Sequence, residues 1–327
     1  MNPLKKIFNA SKQNRPALEI SGRSACGRMC DYCPQSEYNF SYKKIDSENS
    51  KLTLSQVIKI QKNIPIDTVI HWTGFVEPLE LKDFSLICSF LHEKGYSQLL
   101  GTTLTGYKEN INFLFDNFNI FDAGISLHLP DDEGLMKGKF DEQYSDNVNK
   151  LLRSLKEDSS SIHVSIALIG ETFHRNILSV VEQYKHDFSI TKTRALSTRS
   201  GLIDIKKFGY KDSKKLNKIT GPYYCSIQRL NQGVLLPNGL VSICCQDFGL
   251  KHILGSLQDS NLEQLYSSIE QDSLLSGQFM AGEMEPCIHC EYYLPFAINN
   301  SFYKKIARYT PDFVKDYVNK YRNKTAI

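Results

Sequence analysis

The chain has 327 residues, 41% of them hydrophobic and 23% charged, which sets aside global disorder and leaves room for one large domain or two ordinary ones. A net charge of +3 argues against nucleic acid as the main partner. No stretch approaches the ~20 apolar residues of a membrane span, and MNPLKKIFNASKQNR carries no apolar signal-peptide core.

After an N-terminal extension over residues 1–16, short apolar runs alternate with helical spacing. Strands are predicted at ALEIS (17–21), DTVIHW (67–72), SQLLGT (97–102), AGISLHL (123–129), IHVSIALI (162–169) and FSITKTRAL (188–196). Helical spacing marks LSQVIKIQKNI (54–64) and FSLICSFLHEKG (84–95), the second closed by Gly95 as a C-cap. Such alternation implies parallel strands with crossover helices, an α/β fold, and six strands are two short of a full (β/α)₈ barrel. Ile125, Leu127 and Leu129 share a strand face opposite Ser126 and His128. Val164, Ile166 and Leu168 lie opposite His163 and Ser165, while Lys192 and Arg194 share the parity of Ile190. The apolar sets are expected to meet helices and the polar sets to line a cavity. The alternative is the wet side of an antiparallel sheet.

From residue 206 the character changes. A basic connection, KKFGYKDSKKLNK (206–218), leads to VLLPNGLVSICC (234–245), where Asn238-Gly239 between apolar runs predicts a hairpin. Residues 206–300 are expected to form a second, smaller domain. The tail, 301–327, carries seven Lys/Arg against two Asp, net +5, leaving −2 on the rest. Phe302, Ile306, Tyr309, Phe313 and Tyr317 predict an amphipathic helix there, broken at Pro311.

Nine cysteines is an odd count in a chain too large to need staples, and clustered thiols point to metal ligation in a reducing cytoplasm. Cys26, Cys30 and Cys33 fall just after the first strand, where the active site of a β/α barrel lies. Three thiolates can hold three corners of a 4Fe–4S cubane and leave one iron open. A zinc site completed by a distant His, or three unrelated thiols, are the alternatives. Cys88, in an apolar helix face, reads as a buried small hydrophobe.

CGRMCDYC resembles the C-x3-C-x-aromatic-C signature of the radical S-adenosylmethionine (SAM) superfamily, with Tyr32 as the aromatic residue. The resemblance implies a partial (β/α)₆ TIM-like barrel over residues 17–205, matching the six strands. It further implies a SAM-binding 4Fe–4S cluster on Cys26, Cys30 and Cys33. HWTGFVEPLE resembles the family's Gly-Gly-Glu-Pro turn, with Gly74, Glu77 and Pro78 matching and Phe75 and Val76 standing where glycines are usual. GTTLTGY resembles the Thr-Asn-Gly segment but has no Asn, and Ser126 sits where a ribose contact is often found. Arg199 in STRSGL resembles an Arg-bearing turn between barrel and auxiliary domain, and Arg194 and Lys192 are candidates to meet the SAM carboxylate or an anionic substrate group. Glu19 is a candidate for SAM or for the barrel floor, His71 reads as structural, and His128 and His163 are either interior hydrogen-bonded groups or substrate contacts.

Cys225, Gly239 and Cys244 resemble the C-x(9–15)-G-x4-C opening of SPASM and twitch domains, continued by Cys287-x2-Cys290. The resemblance implies an α+β twitch-type auxiliary domain with a second 4Fe–4S cluster on Cys225, Cys244, Cys287 and Cys290; four-cysteine zinc is the alternative. Cys245 is a candidate hydrogen-atom donor, against simple packing. The family chemistry is reductive cleavage of SAM, with a 5′-deoxyadenosyl radical abstracting hydrogen from the substrate. The resemblance leads to a carbohydrate-like or other small hydroxylated substrate, dehydrogenated or epimerised. The rival is a maturase modifying a peptide, for which only 16 residues precede the first strand. A flavodoxin- or ferredoxin-type electron donor and a cytoplasmic location are implied.

Overall fold

The computed structural model describes residues 16–157, 162–193, 197–208, 223–225, 232–267, 290 and 293–295. The expected amphipathic tail, Arg194 and Cys287 lie outside them. Six parallel strands follow one another in chain order: β1 (Ala17–Ile20), β2 (Val69–Trp72), β3 (Gln98–Thr102), β4 (Gly124–Leu129), β5 (Val164–Ile169) and β6 (Ser189–Thr193). The crossovers carry α1 (Gln35–Ile45), α2 (Leu54–Ile60), α3 (Phe84–Glu93), α4 (Lys108–Asn117), α5 (Glu142–Glu157) and α6 (Arg175–Tyr184). The sheet is not closed; among the described residues β6 is one edge.

Local chemistry explains the helices. Thr53 and Gln56 form a reciprocal capping box that starts α2. Phe84, Ile87, Cys88 and Leu91 recur at helical spacing and bury one face of α3, and Gly95 takes the left-handed conformation just past its end (φ +87°). Cys88 is fully buried in the core, as expected. The apolar strand sets, Ile125/Leu127/Leu129 and Val164/Ile166/Leu168, pack into that core beneath the helices. Trp72 anchors it, edge-on to Phe84 at 5.0 Å between centroids and donating its Nε1–H to Gln98 Oε1 at 2.8 Å.

The opposite sheet face is polar. Gly101, Ser126, Ser165 and Ser189 stand side by side across four strands, and Ser165 Oγ donates to Ser126 Oγ at 3.2 Å. The next row holds His128, Ala167 and Thr191. At the base, buried Glu19 accepts from Thr73 Oγ1 and Gln232 Nε2, both at 2.9 Å, and Gln232 also meets His71 Nδ1 at 3.0 Å. Glu19 and His71 therefore belong to the floor. On β6, Ile190 packs against the core, and Lys192 shares that helix-side parity, its amine donating to the Glu171 carbonyl at 3.3 Å.

The hairpin forms as expected: β8 (Gln232–Leu235) and β9 (Leu240–Ser242) are joined through Gly239 at φ +88°, and β10 (Ile253–Ser256) pairs antiparallel to β9. Its first strand joins the barrel sheet. β8 runs parallel to β1 in the register Ala17↔Gln232 to Ile20↔Leu235, giving, among the described residues, nine strands in the order β10-β9-β8-β1-β2-β3-β4-β5-β6. Tyr266 seals this seam; its hydroxyl donates to the Ala17 carbonyl (2.7 Å) and accepts from the Gly233 N–H (2.9 Å). β7 (Tyr223–Cys225) and β11 (Tyr293–Pro295) form a separate antiparallel pair.

Candidate active site

The loop between β1 and α1 carries Cys26, Cys30 and Cys33 at the C-terminal end of the sheet, where β/α folds place chemistry. Three sets of contacts shape it. Glu80 Oε2 accepts from Arg23 Nη1 at 2.6 Å and from the Gly27 N–H at 2.9 Å. A Cβ at Gly27 would stand 3.0 Å from Glu80 Oε1, so glycine lets the loop close on that carboxylate. From the other side, the segment after β4 clasps the loop. The Lys137 N–H meets Cys30 Sγ at 3.4 Å, the Asp31 N–H donates to the Leu135 carbonyl at 2.9 Å, and Arg28 Nη1 donates to the Lys137 carbonyl at 2.9 Å. Asp131 shapes this clasp by accepting from the Leu135 and Met136 N–H groups at 2.7 and 2.8 Å.

Gln35, the first residue of α1, supplies the third set. Its Oε1 accepts from the Cys26 N–H at 3.1 Å, and its Nε2 donates to Cys33 Sγ at 3.2 Å and to the Phe75 carbonyl. Sequence reasoning missed it; the available signal was a polar residue directly after Cys33-Pro34 at a helix start. Burial pushes the Cys26 thiol up to about 12, with the Glu80 carboxylate adding to the effect. Burial also raises Cys33, against the opposing pull of the Gln35 amide and the Arg199 charge. Tyr32, the aromatic residue of the motif, packs beside Cys33 on the core, its hydroxyl held well above its ordinary value by burial and the neighbouring Cys30.

The turn after β2 packs onto this loop. Gly74 has φ +34°, and a Cβ there would lie 2.6 Å from the Ile20 carbonyl oxygen, so the turn sits directly on the chain leaving β1. Phe75 fills an aromatic cluster, 4.8 Å from the Tyr38 ring and 4.7 Å from Phe248. Glu77 is buried and accepts from Thr102 Oγ1 (2.5 Å), the Thr103 N–H (2.8 Å), Thr103 Oγ1 (2.6 Å) and the Leu79 N–H (3.2 Å). Burial raises its carboxyl even against these donors. Pro78 opens the short 3₁₀ turn Pro78–Glu80. Gly106 closes the neighbouring segment onto that turn, where a Cβ would lie 2.3 Å from the Leu79 carbonyl oxygen.

Ser126 and His128 face the polar side of the sheet. The protein around the His128 ring, with the Arg199 charge, lowers its pKa. Arg199 (φ +49°) lays its guanidinium 5.5 Å from the Phe248 ring centroid, within electrostatic reach of both His128 and Cys33. The structure thus gathers Cys26, Cys30, Cys33, Tyr32, Gly74, Glu77, Pro78 and Arg199 at one end of the sheet, with Ser126 on the polar face of β4.

Of the second cysteine set, Cys225 lies on β7 opposite Tyr293, three residues beyond Cys290. Cys244 follows β9 in a turn held by buried Asp247, whose backbone N–H donates to the Cys244 carbonyl at 3.1 Å. The Asp247 carboxylate accepts from the Lys251 and His252 N–H groups, both at 2.9 Å. Cys245 packs on the same aromatic cluster as Cys26 and Cys33.

The donor set of the first loop, three cysteines on one short loop, suits the thiolate ligation of an iron–sulfur cluster. The N–H donors aimed at Cys30 and Cys33 suit sulfurs that carry thiolate charge.

No protein-family model matches the sequence, and no curated protein matches it. Among solved structures, BtrN in complex with AdoMet and 2-DOIA aligns over 87% of this chain and 95% of its own, at 14% identity and a TM-score of 0.50. SuiB of Streptococcus suis bound to precursor peptide SuiA aligns over 89% of this chain and 75% of its own, at 13% identity and a TM-score of 0.50. The chain shares the fold of these two proteins. The six parallel strands counted in the sequence are the open core of that fold, and the cysteine loop leaves its first strand. No helix among the described residues is long and apolar enough to cross a membrane.

Proposed function

We propose that this chain is a radical SAM enzyme that binds a 4Fe–4S cluster through Cys26, Cys30 and Cys33. The observation that carries the reading is that this three-thiol loop is fastened by one side chain, Gln35, to the turn bearing Gly74, Glu77 and Pro78. When bound, the cluster and SAM supply a one-electron cleavage that delivers a 5′-deoxyadenosyl radical able to take hydrogen from an unactivated carbon. The chain's own part is positional. Backbone groups of the turn would hold the amino-acid end of SAM, and Ser126, Arg199 and Arg194 are proposed to orient its ribose and carboxylate. The aromatic cluster of Tyr38, Phe75 and Phe248 keeps water from the side of the loop it covers.

The substrate we propose is small and hydroxylated, carbohydrate-like, undergoing dehydrogenation or epimerisation. The row Ser126, Ser165, Ser189 with His128 above it supports this, as paired hydroxyl donors and acceptors suit a polyol. The alignment over 95% of BtrN, crystallised with 2-DOIA, supports it as well. The second reading is a maturase acting on a peptide, supported by the equal fold similarity to peptide-bound SuiB. In either case residues 206–300 are proposed to carry an auxiliary cluster on Cys225, Cys244, Cys287 and Cys290, with Cys245 a candidate hydrogen donor and a flavodoxin- or ferredoxin-type protein as reductant.

The test is anaerobic reconstitution followed by iron counting and product analysis. About eight irons per chain and reductant-dependent 5′-deoxyadenosine are expected. About four irons remove the auxiliary cluster, and no 5′-deoxyadenosine removes the enzyme. Deuterium moving into that product from a labelled cyclitol, rather than from a labelled peptide, selects the first substrate class.

A further inference from the structure

Gln35 is 3% exposed, and every polar function of its amide is used at the candidate site. Its single carbonyl oxygen holds the Cys26 N–H (3.1 Å), and its two N–H bonds are divided between Cys33 Sγ (3.2 Å) and the Phe75 carbonyl. The three partners come from the two ends of the cysteine loop and from the turn after β2. No hydrophobic contact could replace this, because each partner is polar and enclosed. Two consequences follow from elementary electrostatics. An N–H directed at a ligating sulfur withdraws charge from it and favours the reduced, more negative cluster. An N–H holding the Phe75 carbonyl fixes the rotation of the peptide groups that lead into Val76 and Glu77.

We propose that Gln35 is a positioning residue with two tasks: it raises the reduction potential of the cluster on Cys26, Cys30 and Cys33, and it locks the turn at residues 74–77 in the orientation that receives SAM. This rests on the cluster reading given above. The side chain touches a ligand sulfur and the turn, so it acts on the reaction through them.

The test uses the full chain, reconstituted anaerobically, as wild type, Gln35→Met and Gln35→Glu. Methionine keeps the length and removes all three hydrogen bonds; glutamate keeps an acceptor for the Cys26 N–H, loses both donors and adds negative charge. The midpoint potential is expected to fall in the order wild type, Gln35→Met, Gln35→Glu. The first step is a tenfold loss in the reduced-to-oxidised ratio at a fixed poise, about 59 mV for a one-electron couple. SAM affinity, read by equilibrium dialysis against the loaded protein, is expected to drop about tenfold in both variants. Urea unfolding of the metal-free chains separates folding from tuning, since a purely structural glutamine would shift the urea midpoint and leave the potential unchanged. Iron uptake with equal potentials in all three proteins overturns the proposal while leaving the cluster reading intact. No iron uptake by the wild-type chain overturns the cluster reading and the proposal with it.

Discussion

Glu77 shows how one side chain can join two segments that are far apart in sequence. Its carboxylate gathers four donors from the segments after β2 and β3. Glu77→Gln puts an NH₂ where donors already point, leaving buried groups unpaired at a cost of about 1–3 kcal/mol. A lower urea midpoint for the metal-free variant checks this. Asp247 gives a prediction in pH. Burial raises its carboxyl from 3.8 to about 6, so the folded state holds this proton more tightly than the unfolded one. Its favourable contribution is complete below the unfolded value and is lost as pH rises through about 6, roughly 3 kcal/mol across the window. Asp247→Asn cannot ionise. The difference between its urea midpoint and that of the wild type should therefore move in favour of the variant between pH 4 and pH 7. At this scale the cysteines and Glu77 were legible because their spacing is fixed along the chain. Gln35 and the Asp131 clasp were not, because a lone polar residue carries no period, and the segments they tie together, Phe75 to Gln35 and Lys137 to Cys30, lie 40 and 107 residues apart.

At the scale of elements, the hairpin is the part whose place matters most. Asn238-Gly239 specifies the turn locally, and the turn forms. The parallel docking of β8 on β1 is a tertiary matter, and Tyr266 closes it by bonding the Ala17 carbonyl and the Gly233 N–H. Tyr266→Phe leaves both backbone groups buried without that partner and should cost about 1–3 kcal/mol, read as a fall in the unfolding midpoint. Phe75 ties the same region to the site from the other side. Phe75→Ala empties a ring position between Tyr38 and Phe248 and should cost about 3–5 kcal/mol, measured in the same way. Phe75 is therefore a packing residue of this turn: its ring joins α1 to the segment after the hairpin.

For the whole molecule, the nine-stranded order has a consequence for any truncation. Ending the chain at residue 205 would strip β8 from β1 and expose a strand whose residues are buried on both faces, Leu18 and Ile20 among them. Such an edge pairs with other chains. The truncated protein is expected to elute from a sizing column as larger species than the full chain; elution as a smaller monodisperse species would refute this.

The sequence by itself determined the six parallel strands, the helices α2 and α3, the hairpin and the three-cysteine loop, since each follows from period, turn chemistry or spacing within a few residues. Tertiary structure alone decided that the hairpin extends the barrel sheet beside β1, that Glu77 and Gln35 fasten three loops into one site, and that Lys192 faces the helices rather than the polar face. The physical reason is range. Local geometry is encoded by neighbours in the chain, whereas a docked strand edge or a buried amide is defined by partners that only folding brings within 3 Å or so of it.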